Sequence, residues 1–306
     1  MSRLANLYTR RYLRGAQLSH EDKRDSIKSL IDDGLHGLCF SPYLEGQGPG
    51  SELSREQIKQ RMSVISPNVE WIRSFACTEG NELIPEVAKE LGLKTLVGVW
   101  LDEDMETNEL ELENAIKLMQ QGCVDMLAVG NEVMLREEMS AAQLVDYIER
   151  AKAAANGIPV GYVDAYYLFE ENPSVAEACD VLFANCYPFW EGYSIDHALV
   201  YMKDMYYRAK AVAGDKPVVI SETGWPNKGS LEGQALPSED NAMRYFIDAC
   251  RLTQQCDIPL FYFSAFDEAC KVDAYCDVGA FWGLWDKDGV PKFCLPSPWK
   301  LFLHTL

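Results

Sequence analysis

The stretch Val124–Val133, VDMLAVGNEV, is a short apolar run that closes on the dipeptide Asn131-Glu132. A run of this length without polar alternation suits a strand of a parallel sheet covered on both faces. Seven more such runs recur along the chain: Gly37–Pro42, Trp71–Cys77, Lys94–Leu101, Pro159–Tyr167, Val181–Phe189, Pro217–Trp225 and Leu260–Phe266. Helical patterns lie between or after them, over Arg55–Ile65, Glu82–Leu91, Glu109–Gln121, Ala141–Ala154, Ser174–Cys179, Ile195–Val212, Glu239–Gln255 and Trp299–Leu306. Ser140 and Ser194 stand where helix caps belong, and Gly92, Gly122 and Gly214 where helices stop. Eight strands alternating with eight helices predict an α/β protein, a single (β/α)8 TIM barrel over residues 37–306. A doubly wound open sheet is the other arrangement, but no phosphate-binding glycine fingerprint follows any strand. Residues 1–36 read as an N-terminal extension, with a helix over Glu21–Asp32 that enters the first strand through Gly34. It either covers the closed end of the barrel or, over residues 1–17, forms a loose tail.

Glu222, inside VVISETGWP at 218–226, closes a second apolar run as Glu132 closes the first. A carboxylate at a buried strand end is costly to desolvate unless something pairs or uses it. In a barrel, the strand C-termini and the loops after them form the active face. Two glutamates there suit glycosidic bond cleavage, which needs one carboxylic acid and one carboxylate about the anomeric carbon. Structural salt bridges at the rim are the other reading. Asn131 is placed to hydrogen-bond a sugar 2-hydroxyl, or else ends the strand as a turn residue. Arg73 is a charge within an apolar strand and requires a partner, either one of these carboxylates or a structural acid elsewhere.

Four blocks sharpen this: VGNEV (129–133), ANCYPF (184–189), ISETGWP (220–226) and FDEACK (266–271). Together they resemble glycoside hydrolase family 17, the β-1,3-glucanases and β-1,3-glucan transferases, and the chain looks like a bacterial-type member. The resemblance implies Glu132 as general acid/base and Glu222 as nucleophile, with retention of anomeric configuration. It implies that the Tyr187 hydroxyl holds Glu222 in place, and that Glu268 and Lys271 belong to the site, with Asp267 where asparagine is usual. Phe40 stands where plant members have tyrosine, and Gly279 where they place an acidic residue. A neutral β-glucan or gluco-oligosaccharide is the implied partner. Water and a sugar hydroxyl both remain open as acceptor; a barrel that binds sugar without turnover and an aldolase using Lys271 are further alternatives.

Aromatic residues cluster after the sixth to eighth strands, and sugar rings stack on such platforms. Trp225 and Trp282 are the leading candidates, with Phe189, Trp190, Phe281 and Trp285 divided between packing and platform. The loops Ser41–Ser51 and Asn227–Ser238 are expected to wall the cleft.

Composition narrows the remaining classes. A formal net charge of −19 over 306 residues argues against nucleic-acid partners, which demand clustered lysine and arginine. Four scattered histidines give no paired-ligand spacing, so neither metal nor cofactor is expected. The first 36 residues carry seven basic side chains and no long apolar core, which predicts neither a signal peptide nor a membrane span and a cytoplasmic location. Free thiols are therefore expected for the ten cysteines, with Cys270, Cys276 and Cys294 as the candidates for a disulfide.

Overall fold

The computed structural model describes residues 15–272 and 277–293. Eight parallel strands close into a barrel in sequence order: β1 (Leu35–Cys39), β2 (Val69–Arg73), β3 (Lys94–Val99), β4 (Met126–Asn131), β5 (Val160–Ala165), β6 (Val181–Asn185), β7 (Val218–Thr223) and β8 (Leu260–Tyr262). The expected (β/α)8 barrel is what the chain forms. Nearly every strand residue is buried, because the barrel interior packs one face and the helical ring the other.

Nine α-helices occur among the described residues: α1 (His20–Asp32), α2 (Arg55–Ile65), α3 (Leu83–Glu90), α4 (Met105–Gln120), α5 (Ala141–Ala154), α6 (Tyr166–Glu171), α7 (Pro173–Ala178), α8 (Ile195–Ala213) and α9 (Glu239–Cys256). Ser140 caps α5 with a capping box in which Gln143 reciprocates. Ser194 stands at the start of α8, but its hydroxyl pairs with His197 Nδ1 at 3.0 Å and makes no cap bond. Helix α4 begins four residues before the expected Glu109, because Asp104 accepts from the N–H groups of Glu106 and Thr107. Gly92, Gly122 and Gly214 have φ of +75°, +73° and +61°, the left-handed geometry that ends a helix. The expected helix Trp299–Leu306 lies outside the described residues, as do Cys276 and Cys294. Cys270 is a free, exposed thiol, and Cys39, Cys77 and Cys186 are free and buried.

Helix α1 lies against α9. Ile27, Leu30 and Ile31 of α1 are buried, and the Lys23 ammonium meets Asp240 of α9 at 2.5 Å. The backbone N–H of Gly15 donates to Asp248 of α9 at 3.1 Å. An outer helix of a barrel usually keeps a wet face. Helix α9 does not: Ala242 through Cys250 are all buried, since the barrel takes one side and α1 the other. No helix among the described residues is long and apolar enough to cross a membrane.

Strand register breaks at three places near the C-terminal mouth: between Ala128 and Asn131 on β4, between Ala184 and Asn185 on β6, and between Ile220 and Thr223 on β7. Such irregularities bend a strand and re-aim the side chains beyond them. All three fall next to the residues singled out above.

Candidate active site

A cleft of about 910 Å³ opens at the strand C-termini and contains Asn131, Glu132, Tyr187, Glu222, Glu268, Lys271 and Trp282. Glu132 follows β4 and Glu222 lies on β7, so the two carboxylates from distant stretches share one cavity. Glu222 is buried, and each of its oxygens accepts one bond. The Arg73 guanidinium donates to Oε1 at 2.5 Å and the Tyr187 hydroxyl to Oε2 at 2.6 Å. That is the hydrogen-bonding pattern of a carboxylate anion. Arg73, buried on β2, also donates to Asn131 Oδ1 at 2.6 Å, which resolves its partner and fixes the Asn131 amide. Burial alone would pull its pKa down, but Glu222 and Cys39 together offset this and it stays raised.

Glu132 is set differently. Its Oε1 accepts from Asn185 Nδ2 at 2.7 Å, and Asn185 is itself oriented by the Ser221 hydroxyl at 2.8 Å. Desolvation in the barrel mouth, followed by the charge on Glu222, pushes the Glu132 carboxyl up to about 7. Two carboxyls in one cavity thus sit in contrasting surroundings: one is held by a cation and a hydroxyl, the other by a neutral amide.

Glu268 and Lys271 form an ion pair at 3.0 Å on the rim after β8. The second oxygen of Glu268 is buried and has no hydrogen-bond partner among the described residues. Lys271 lies 4.5 Å from the Phe263 ring centre; burial opposes its charge, but Glu268, with Glu222 and Cys270, leaves its pKa raised. Gly279 explains one departure from the plant pattern. A Cβ there would fall 2.0 Å from the Lys271 carbonyl oxygen, so this backbone has no room for an acidic side chain. Phe40 is buried and packs on Phe266 at 6.2 Å between ring centres.

Four of the expected sugar platforms, Trp225, Phe189, Phe281 and Trp285, do not line the cleft. Trp225 and Phe189 are 1% and 0% exposed and do not reach the cleft. They pack edge to face at 5.2 Å, and Trp225 Nε1 donates to the Leu236 carbonyl at 3.0 Å. No residue of the loop Asn227–Ser238 lines the cleft, which is walled by Ser41, Tyr43, Pro49 and Gly50 from the first loop. Trp282 borders the cavity, but its surface is nearly all spent on packing against Tyr187 and Phe263. The exposed aromatic of the cleft is Trp190, 44% exposed, which meets Trp282 at 5.4 Å between ring centres; Tyr166 and Tyr167 line the same cavity after β5.

Sequence reasoning gave no role to Asn185, although it stands in one of the quoted blocks. It also passed over Asp164, a charge within the apolar run Pro159–Tyr167, the same signal that marked Arg73. Glu111 had no such signal. It sits in ELELEN, which reads as a solvated helix face, yet its carboxylate is buried below the cleft and accepts from Cys77 N, Trp100 N and the Thr78 hydroxyl.

Residues 37–283 match the model of the BtgE/BtgC glycoside hydrolase domain. A β-1,3-glucanosyltransferase of glycoside hydrolase family 17 from Rhizomucor miehei superposes with a TM-score of 0.76 at 30% identity, over 85% of this chain and 96% of that one. The chain belongs to glycoside hydrolase family 17. As a family 17 protein it is a glycosidase in class, and its other relatives agree. A glucan 1,3-beta-glucosidase of Candida albicans is 26% identical over 249 residues, covering 73% of this chain and 81% of the relative. One from Schizosaccharomyces pombe is 28% identical over 231 residues, covering 69% and 72%. These relatives are fungal and give the bacterial-type assignment no support.

Proposed function

We propose that this family 17 glycosidase acts on β-1,3-linked glucan or its oligosaccharides by double displacement, with Glu222 as nucleophile and Glu132 as acid/base. The single observation that carries the assignment of roles is the contrast in partners, Arg73 and Tyr187 on Glu222 against Asn185 on Glu132. A Glu222 oxygen attacks the anomeric carbon while the bond to the leaving oxygen breaks and the Glu132 proton moves onto that oxygen. The acylal ester that forms removes the Glu222 charge, so Glu132 is easily left ionised. It then takes a proton from an incoming hydroxyl, whose oxygen displaces Glu222 with a second inversion. Asn131, aligned by Arg73, supplies the contact to the 2-hydroxyl.

The substrate class rests on the names of the relatives; one Rhizomucor miehei structure holds laminaritriose. Trp190 favours a sugar acceptor over water. It is an exposed aromatic that lines the same cleft as Glu132 and Glu222, a platform on which a second sugar can stack. Incubation with laminari-oligosaccharides is expected to give products longer than the substrate alongside shorter ones, with the β-anomer formed first by proton NMR. Release of the α-anomer, or no product from β-1,3 linkages while another linkage is cut, would refute the proposal.

A pH dependence follows from Glu132. The acid must carry its proton when the first step begins, and its pKa is raised to about 7. Activity should therefore persist on the acid side and fall as pH rises through about 7. A kcat/KM profile that stays flat to pH 9 would remove Glu132 from this role.

A further inference from the structure

We propose that Asp164, acting through Tyr162, is a positioning residue for Glu132: it braces the backbone turn that carries the acid and supplies a fixed negative charge behind it. The inference rests on the role assigned to Glu132 above. Neither Asp164 nor Tyr162 borders the cleft, so neither touches substrate.

The turn needs bracing. Glu132 has φ of +54°, a left-handed conformation that a non-glycine residue keeps only where its surroundings impose it. Gly130, two residues earlier, has φ of +86°. The turn is held from one side by Arg136, whose guanidinium donates to the carbonyls of Asn131 and Leu101. From the β5 side the holding group is Tyr162. Its ring fills the space beneath Gly130, where a Cβ would come within 3.1 Å of Cε2. Its oxygen accepts from the N–H of Met134 at 2.9 Å, two residues beyond the acid. Its own proton goes to Asp164 Oδ2, so the tyrosine can accept from the turn only in one orientation. The other Asp164 oxygen accepts from Ala165 N at 2.7 Å. Asp164 is wholly buried and forms no ion pair among the described residues. A carboxylate in such a place is expensive, and a strand needing only packing would fill it with an apolar side chain.

The charges about Glu132 come from three strands: Glu222 on β7, Asp164 on β5 and Arg73 on β2. Asn185 on β6 is neutral. Asp164 in turn faces Tyr162, Arg136, Tyr167 and Glu132. Burial raises the Asp164 carboxyl, and the bond from Tyr162 opposes that rise. The Tyr162 hydroxyl and the Ala165 N–H both donate to it, the bonding of an ionised carboxylate, and that charge opposes loss of the Glu132 proton.

The test is a carbon-13 NMR titration of protein labelled at the glutamate carboxyl carbon, with Glu132→Gln to assign the resonance, run beside pH profiles of kcat/KM. In Asp164→Asn, the Glu132 titration should move to lower pH by about half a unit or more, and the basic limb of activity should move with it. Tyr162→Phe removes the brace and, with it, the bond that favours the Asp164 charge. It should lower kcat several-fold on substrates with poor leaving groups, beyond any effect of Asp164→Asn at a pH well below the basic limb. An unmoved Glu132 titration in Asp164→Asn overturns the electrostatic role, and wild-type kcat in Tyr162→Phe overturns the bracing role. A titration that moves as expected in a protein inactive on β-1,3-glucan would uphold the pairing and end the glucan reading instead.

Discussion

Replacing Glu222 by alanine is expected to lower kcat/KM on laminari-oligosaccharides on the order of 10⁵-fold, the largest loss at any single position. The reason is chemical first: without the carboxylate no glycosyl-enzyme forms, and no other carboxylate is held between a guanidinium and a phenol in this cleft. It is also electrostatic. Arg73 is 1% exposed, and Glu222 is its only acidic partner among the described residues. The variant leaves a buried cation uncompensated, which costs about 3–5 kcal/mol in comparable cases. Glu222→Gln removes the charge too but keeps the shape and an acceptor oxygen for Arg73, so it restores part of the lost stability without the nucleophile. It should be as inactive as the alanine variant while unfolding closer to the wild type. Added azide, attacking an activated aryl glucoside directly, should give the α-azide from the alanine variant. Substantial turnover of natural substrate by both variants would discard the nucleophile assignment.

Glu132→Ala should fail in another way. Loss of a positioned general acid/base is worth about 10²–10⁴-fold, and the loss falls where a proton must move. Glucosides with a phenol of low pKa leave unaided, so glycosylation of Glu222 should survive and the glycosyl-enzyme accumulate. Azide, which needs no deprotonation, should then restore turnover and yield the β-azide, the opposite anomer to that from Glu222→Ala. The fall in activity near pH 7 should disappear with the side chain. If azide changes nothing and the variant treats good and poor leaving groups alike, Glu132 is a binding residue and the acid lies elsewhere.

The barrel was legible because every strand is a short apolar run and most helices carry caps or glycine stops. Where boundaries slipped, local polar chemistry decided. Asp104 started α4 early, and the end of the Pro159–Tyr167 run turned into α6 once the strand reached the mouth. The paired glutamates were legible because charge at the end of an apolar run is conspicuous. The sugar platforms were less so. Trp225, Phe189 and Trp190 lie within 36 positions of sequence and are equally aromatic; only the fold decides that two fill the space between β6, β7 and α9 while the third faces solvent. Asp164 was readable by the same logic as Arg73. Glu111 was not, because burial of one face of a polar helix depends on which loops descend onto it.

The seating of α1 on α9 bears on how little of this chain can stand alone. The segment shared with the family begins at residue 37, after α1 has ended. A chain cut there would bare the apolar outer flank of α9 and release Lys23 from Asp240, beside a seam where β8 contributes three residues and meets β1 at two. Such a fragment should be recovered aggregated, its far-ultraviolet helix signal partly kept and its near-ultraviolet tryptophan signal lost. What the family has in common would then be smaller than what this polypeptide needs in order to fold.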